Sequence, residues 1–195
     1  MIDFEQLRKI YLFGNDLSFK DLQILFSAAK SQSFKKKEIL IHEGTQKNEV
    51  FYIRKGLVRC YYVNDKGDEI TFRLLPEHHL VINSDMTLYN QPSKFYYQAF
   101  EATKTYSIDY DMLQSIVADN EKYVSNRKFV FQKILRQAQQ RIESFVLHTP
   151  EERYLLYLNE FPNIINRVPD KYIAHVLGIT PVSLSRIRKR IASKK

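Results

Sequence analysis

Three textures follow one another along the chain. Over the first thirty residues apolar positions recur at helical spacing: Phe19, Leu22, Ile24, Leu25, Phe26, Ala28 and Ala29 share a face behind Ser18, whose hydroxyl suits an N-cap. From Phe34 to about Ile108 the apolar runs shorten. Lys37–Ile41, Val50–Ile53, Leu57–Val63, Glu69–Leu75, Phe95–Ala99 and Thr103–Ile108 read as strands, parted by turn signals at Glu43-Gly44, Arg54-Lys55-Gly56 and Asn64-Asp65-Lys66-Gly67. Closely spaced short strands with turn glycines predict an antiparallel barrel or sandwich.

After Asp109 the helical period returns. Asn120 to Leu147 contains neither Gly nor Pro, and Val124, Phe131, Leu135, Ala138, Ile142 and Phe145 form a stripe close to a heptad seam. Lys128, Gln132, Lys133, Gln137, Gln139, Gln140 and Glu143 occupy the opposite face. Such a helix would be roughly 40 Å long, more than a small barrel covers, so a dimer seam is expected. Packing against its own domain is the alternative. His148-Thr149-Pro150 ends the helix, and Thr149 caps the next one, with Glu151 and Glu152 in its first turn, Tyr154–Leu158 as its apolar body and Phe161-Pro162 at its close.

The segment Asp170–Ile191 predicts two helices around a tight turn. Ile173 and Leu177 face inward from the first helix, and Ala174 is small where the second must approach. Gly178 supplies a positive φ, Thr180-Pro181 starts the second helix, and Leu184 and Ile187 pin it. This is a helix-turn-helix, whose second helix lies in a DNA major groove. Thr180, Ser183 and Ser185 are short polar groups at its outer side. Arg186 is the candidate for bidentate contact to guanine. Arg188, Lys189 and Arg190 are expected to hold phosphates, which position a helix but carry no sequence information.

Charge sharpens this assignment. Of the net +8 over 195 residues, Arg167–Lys195 contributes eight basic residues against the single Asp170, a local +7. Such a field attracts a polyanion, though a solvated basic tail would show the same count. No apolar run reaches the roughly 20 residues of a membrane span, and the acidic start Met1–Glu5 does not resemble a secretory leader. The lone Cys60 excludes an intrachain disulfide and an all-cysteine metal or iron–sulfur site, in keeping with a cytoplasmic location.

From about Leu17 to Ile191 the chain resembles the Crp/Fnr family of bacterial transcription regulators. The resemblance rests on Ile41-His42-Glu43-Gly44, Val50–Arg59 and Asp65-Lys66-Gly67-Asp68-Glu69, and on Ile173-Ala174, Leu177–Thr180 and Leu184–Ile187. It implies an α+β architecture: a cyclic-nucleotide-binding-type β-roll (a double-stranded β-helix) over residues 1–117, a dimerisation helix over 118–147, and a winged helix-turn-helix over 148–195. It further implies a homodimer on double-stranded DNA, with RNA polymerase as a further partner and a small-molecule effector of unknown identity.

Two departures from the family pattern matter. On the reading helix Arg186 matches the family's arginine, but Pro181 and Val182 stand where Arg and Glu are common, so the usual half-site does not carry over. Members that bind cyclic AMP hold its ribose and phosphate with a Gly-Glu pair and an Arg after a Pro. Here Leu80–Asp85 and Gln91–Phe95 contain neither Gly nor Glu, and Ser93 follows Pro92. Loss of that charge-assisted contact argues against cyclic AMP. Val81, Ile82, Asn83, Ser84, Lys94 and Tyr96 are candidates to line a pocket for another molecule, or simply to fill the roll. No cofactor and no catalytic or metal-ligating set is expected: His78-His79 would point to opposite faces of a strand. A cupin-like enzyme is therefore disfavoured, and a sensor protein whose helix-turn-helix has ceased to bind DNA is the remaining alternative.

Overall fold

The computed structural model describes residues 27–118, 135–136 and 138–193. The helix expected behind Ser18 lies outside the described residues, except Ala28 and Ala29, as do Val124, Phe131 and their polar neighbours at 128, 132, 133 and 137 on the long helix. The chain forms two compact units, one containing residues 74–133 and everything before Val63, the other combining Val63–Arg73 with Ile134–Lys195.

The strands form two four-stranded sheets with orders β1-β8-β3-β6 and β2-β7-β4-β5, where β1 is Lys30–Phe34, β2 Ile39–Ile41, β3 Glu49–Lys55, β4 Val58–Val63, β5 Glu69–Leu75, β6 Leu80–Ile82, β7 Tyr96–Ala99 and β8 Thr103–Asp109. The pairings β1–β8, β3–β8, β3–β6, β2–β7 and β4–β7 are antiparallel. All six sequence-predicted strands are present. Two are additional. Polar β1 (Lys-Ser-Gln-Ser-Phe) shows alternation only weakly, and β6 is three residues long.

Burial explains the composition of the central strands. Val50–Ile53 of β3 and Val58–Tyr61 of β4 are buried at every position, so both faces of these strands are covered. Phe51, Ile53, Leu57, Val58, Val81 and Ala99 are almost wholly inaccessible and make the core. Gly56 closes the β3–β4 turn at φ +107°, where a Cβ would lie 2.5 Å from Thr103 Oγ1 and 2.8 Å from the Ala102 carbonyl oxygen. No other residue fits that turn without moving β8.

A short helix α1 (Ser84–Tyr89) follows β6, and α2 (Tyr110–Ala118) follows β8. Asn83 caps α1 by accepting the Met86 N–H at 3.3 Å, and Asp109 Oδ1 caps α2 by accepting from Asp111 and Met112. The second unit contains α3 (residues 138–147), then α4 (Pro150–Glu160), a 3₁₀ turn at Ile164–Asn166, α5 (Asp170–Leu177) and α6 (Pro181–Ala192). Among the described residues the last strand ends at Asp109, so the β-hairpin wing implied by the resemblance has no strand here. Between α4 and α5 the chain is occupied instead by the 3₁₀ turn, flanked by Pro162 and Pro169, whose missing N–H groups disfavour a sheet ladder.

Candidate nucleic-acid interface

The helices of the second unit are assembled from their caps inward. Thr149 and Glu152 form a reciprocal capping box at the start of α4: the Thr149 hydroxyl accepts the Glu152 N–H at 3.3 Å, and Glu152 accepts the Thr149 N–H at 2.7 Å. Those Thr149 hydrogen bonds, backbone first and then side chain, hold the Glu152 pKa below its ordinary value. Tyr154, Ile164 and Val168 are buried, and α5 buries Ile173, Ala174, Val176 and Leu177. Gly178 ends α5 at φ +65°, and Thr180 opens α6 by accepting the Ser183 N–H at 3.1 Å. The Thr180 and Ser183 hydroxyls also meet at 2.9 Å, so both are part of the cap.

One face of α6 buries Leu184 and Ile187. The opposite face is a stripe at helical spacing, Val182, Ser185, Arg186 and Lys189, and all four are exposed. The flanking arginines are engaged within the unit. Arg188 pairs with Asp170 at the start of α5, and Arg190 Nη1 lies 3.2 Å from Glu151 Oε2 at the start of α4. These two expected phosphate contacts therefore tie α6 to its own neighbours, and the pairs neutralise part of the charge counted in the tail. Lys189 remains on the open stripe. Lys194 and Lys195 lie outside the described residues.

The turn is held from behind by α3. Arg141 Nη2 donates to the Val176 carbonyl at 3.2 Å, and Arg153 donates to the Leu177 and His148 carbonyls at 3.2 and 2.9 Å. Two guanidinium groups thus satisfy carbonyls at the C-terminal end of α5, where positive charge is favourable. The Phe145 ring lies against Gly178 and beneath both arginines, 5.4 Å from Arg141 and 4.9 Å from Arg153. Phe145, a residue of the predicted seam, thus packs against the α5–α6 turn while staying 43% exposed. Leu135 and Ile142, the other large seam residues described, are 57% and 65% exposed.

Val63–Arg73, the distal part of the β4–β5 hairpin, belongs to the same unit. The Thr71 N–H donates to His175 Nδ1 at 3.3 Å, and the Phe72 ring centroid lies 5.0 Å from the Arg141 guanidinium. Burial, and then the neighbouring Arg73, push the Arg141 pKa down. Burial and Glu160 push the Tyr157 hydroxyl up, against an opposing effect of Arg141. Sequence patterning missed this hairpin contact because its residues stand about a hundred positions apart. The two strands and the Asn64–Gly67 turn are legible in the sequence, but not what the hairpin touches.

The six candidate effector residues are not gathered into one cavity. Val81 is core, and Ile82 pairs with Val50. Asn83 is fully buried, donating to the Thr45 and Lys47 carbonyls while capping α1. Ser84 and Lys94 are exposed. Tyr96 stacks on Tyr61 at 5.2 Å, and desolvation, followed by the neighbouring Glu43, raises its pKa. Ser93 is buried, its hydroxyl donating to the Phe95 carbonyl, and the Lys94 N–H donates to buried Asp85 at 3.0 Å. A cavity of about 670 Å³ opens elsewhere, between Gln46–Asn48, α1 and Asp109–Asp111. Among the described residues no cluster of three His, Cys, Asp or Glu side chains is placed to hold a metal ion, and no helix is long and apolar enough to cross a membrane.

Residues 31–120 match the cyclic nucleotide-binding domain family. No curated protein sequence matches the chain. Among solved structures it is similar to FixK2 from Bradyrhizobium japonicum, at 18% identity and a TM-score of 0.72, with 85% of each chain covered. It is also similar to a double mutant of CooA from Carboxydothermus hydrogenoformans, at 19% identity and a TM-score of 0.67, with 92% of this chain and 86% of that one covered. A protein from Eubacterium rectale described as a transcriptional regulator of the Crp/Fnr family gives 18% identity and a TM-score of 0.68, with coverage of 92% and 86%. The chain therefore carries a domain of the cyclic nucleotide-binding family at residues 31–120 and shares its fold, over most of its length, with regulators of the Crp/Fnr family.

Proposed function

We propose that this chain is a dimeric, sequence-specific DNA-binding regulator of transcription, acting in the cytoplasm, with α6 as its reading helix. The observation that carries the proposal is the open stripe Val182–Ser185–Arg186–Lys189, backed by buried Leu184 and Ile187. A helix pinned on one side and bare on the other can enter a major groove. In this reading Arg186 contacts a guanine edge and Lys189 a phosphate, while Thr180 and Ser183 serve the cap and Arg188 and Arg190 brace the helix.

Two copies pair along the long helix near residues 120–147 and present two such helices to major grooves about 34 Å apart. A signal at the β-roll shifts the dimer between two arrangements of the readers. Cyclic AMP is not that signal, because Ser93 offers its phosphate no cation and the Lys94 N–H is already taken by Asp85. Promoter binding then acts on RNA polymerase.

The test is binding to genomic fragments at stated salt, measured by fluorescence anisotropy with excess nonspecific competitor. Fragments that bind at least a hundredfold more tightly than the competitor are expected, and Arg186→Ala should erase most of that ratio. Salt-sensitive binding without sequence preference would sink the proposal in favour of a sensor protein with a nonspecific basic head.

A further inference from the structure

The reading stripe contains an apolar member. Val182 is 61% exposed in the first turn of α6, one residue after Pro181 and two after the Thr180 cap. Its neighbours on the helix offer it no burial. Thr180 and Ser183 are occupied with each other, and Leu184 turns to the core. On a helix of 100° per residue, Val182, Ser185, Arg186 and Lys189 fall within about 100° of arc, with Val182 and Arg186 about 40° apart. Val182 and Arg186 therefore face the same way, about 6 Å apart along the axis.

Resting on the reading of α6 as the major-groove helix, we propose that Val182 is a specificity-determining residue that packs on the C5-methyl group of a thymine. In the major groove thymine alone presents a methyl group, and an aliphatic side chain can neither donate nor accept the hydrogen bonds that read the other bases. A buried Val182 isopropyl group therefore favours thymine and penalises the polar edges of cytosine and adenine, whose groups it would desolvate unpaired. The 6 Å offset from Arg186 places this thymine within about two base-pair steps of the guanine that Arg186 reads, at about 3.4 Å per step.

The experiment begins with selection of binding sites from randomised duplexes by the full-length protein. Each thymine of the selected site is then replaced in turn by deoxyuridine, which removes the methyl group and nothing else. Wild type is expected to lose about fourfold in affinity at one thymine per half-site, the worth of one buried methyl group. Val182→Ala, whose fold is checked by thermal melting, should bind the thymine and uridine duplexes equally while keeping the guanine preference at the Arg186 position. Uridine tolerated at every position would overturn the inference, as would uridine sensitivity that survives Val182→Ala. Failure to select any site at all would instead overturn the underlying proposal that α6 reads DNA.

Discussion

Gly178 and Phe145 set the geometry of the helix-turn-helix between them. The glycine adopts φ +65°, and a Cβ built on it would lie 2.6 Å from Phe145 Cε1. Gly178→Ala therefore incurs a backbone cost of about 1–2 kcal/mol and a ring collision as well. Thermal unfolding should show that Gly178→Ala costs less in a Phe145→Ala background than in wild type, because the ring is gone and only the backbone strain remains. Additive effects would mean that the ring yields freely. Asp85 has a comparable influence in the first unit. It is 8% exposed, and its carboxylate accepts the Lys94 N–H in the loop where cyclic AMP-binding relatives by resemblance hold a phosphate. An arriving phosphate would meet a buried negative charge without a guanidinium to offset it. Calorimetry with cyclic AMP should show no heat of binding, and micromolar affinity would refute this account of the loop.

At the scale of the element, α6 separates charges that look alike in sequence. Lys189 stands on the open stripe, whereas Arg188 and Arg190 are bound to Asp170 and Glu151. Lys189→Ala should reduce the slope of log affinity against log salt by about one, the signature of one lost phosphate contact. Arg188→Ala should leave that slope nearly unchanged and lower thermal stability modestly; equal slope changes would return Arg188 to the DNA. The α4 capping box makes a second prediction. The Glu152 pKa is held below its unfolded value, so its stabilisation is present above about pH 4.3 and is lost as pH falls through the folded value. Glu152→Gln, which keeps a hydrogen-bonding side chain, should flatten the acid limb of a denaturant-derived stability curve. These elements were legible because their signals are local: Thr149-Pro150, Gly178 and Thr180-Pro181 each specify a cap through neighbouring residues. The fates of Arg188 and Arg190 were not, since their partners stand 18 and 39 positions away. Polar β1 was missed for a related reason. Its partner is β8, and only pairing of Gln32 with Thr105 and Phe34 with Thr103 gives Lys-Ser-Gln-Ser-Phe a place in a sheet.

At the scale of the whole molecule the second unit is not a continuous piece of sequence. It takes Val63–Arg73 from the midst of the strand-rich region and joins it to Ile134–Lys195. That unit also holds α3, from the segment expected to form the dimerisation helix. On α3 and at Leu135 before it two sets of side chains are distinguishable. Arg141 and Phe145 engage the end of α5 and the turn after it, while Leu135, Ile142 and Val146, spaced by seven and four residues, are 57%, 65% and 75% exposed. A single chain leaves that apolar stripe in water, and Gln139 and Glu143 beside it satisfy each other at 2.8 Å rather than covering it. In the proposed dimer a second copy would supply the same stripe in two-fold relation, which is how a heptad seam is buried. The wild-type chain should therefore sediment at twice its 23.2 kDa. Leu135→Asp with Ile142→Asp should give a monomer, because two carboxylates per chain would have to be desolvated at the seam. Since neither residue touches the reading head's caps, the monomer should retain the helical signal of α4 to α6 and bind a single half-site weakly. Its affinity should no longer depend on the spacing of two half-sites. A variant that stays dimeric would show that the copies meet through another surface, and the exposed stripe would then belong to a different partner.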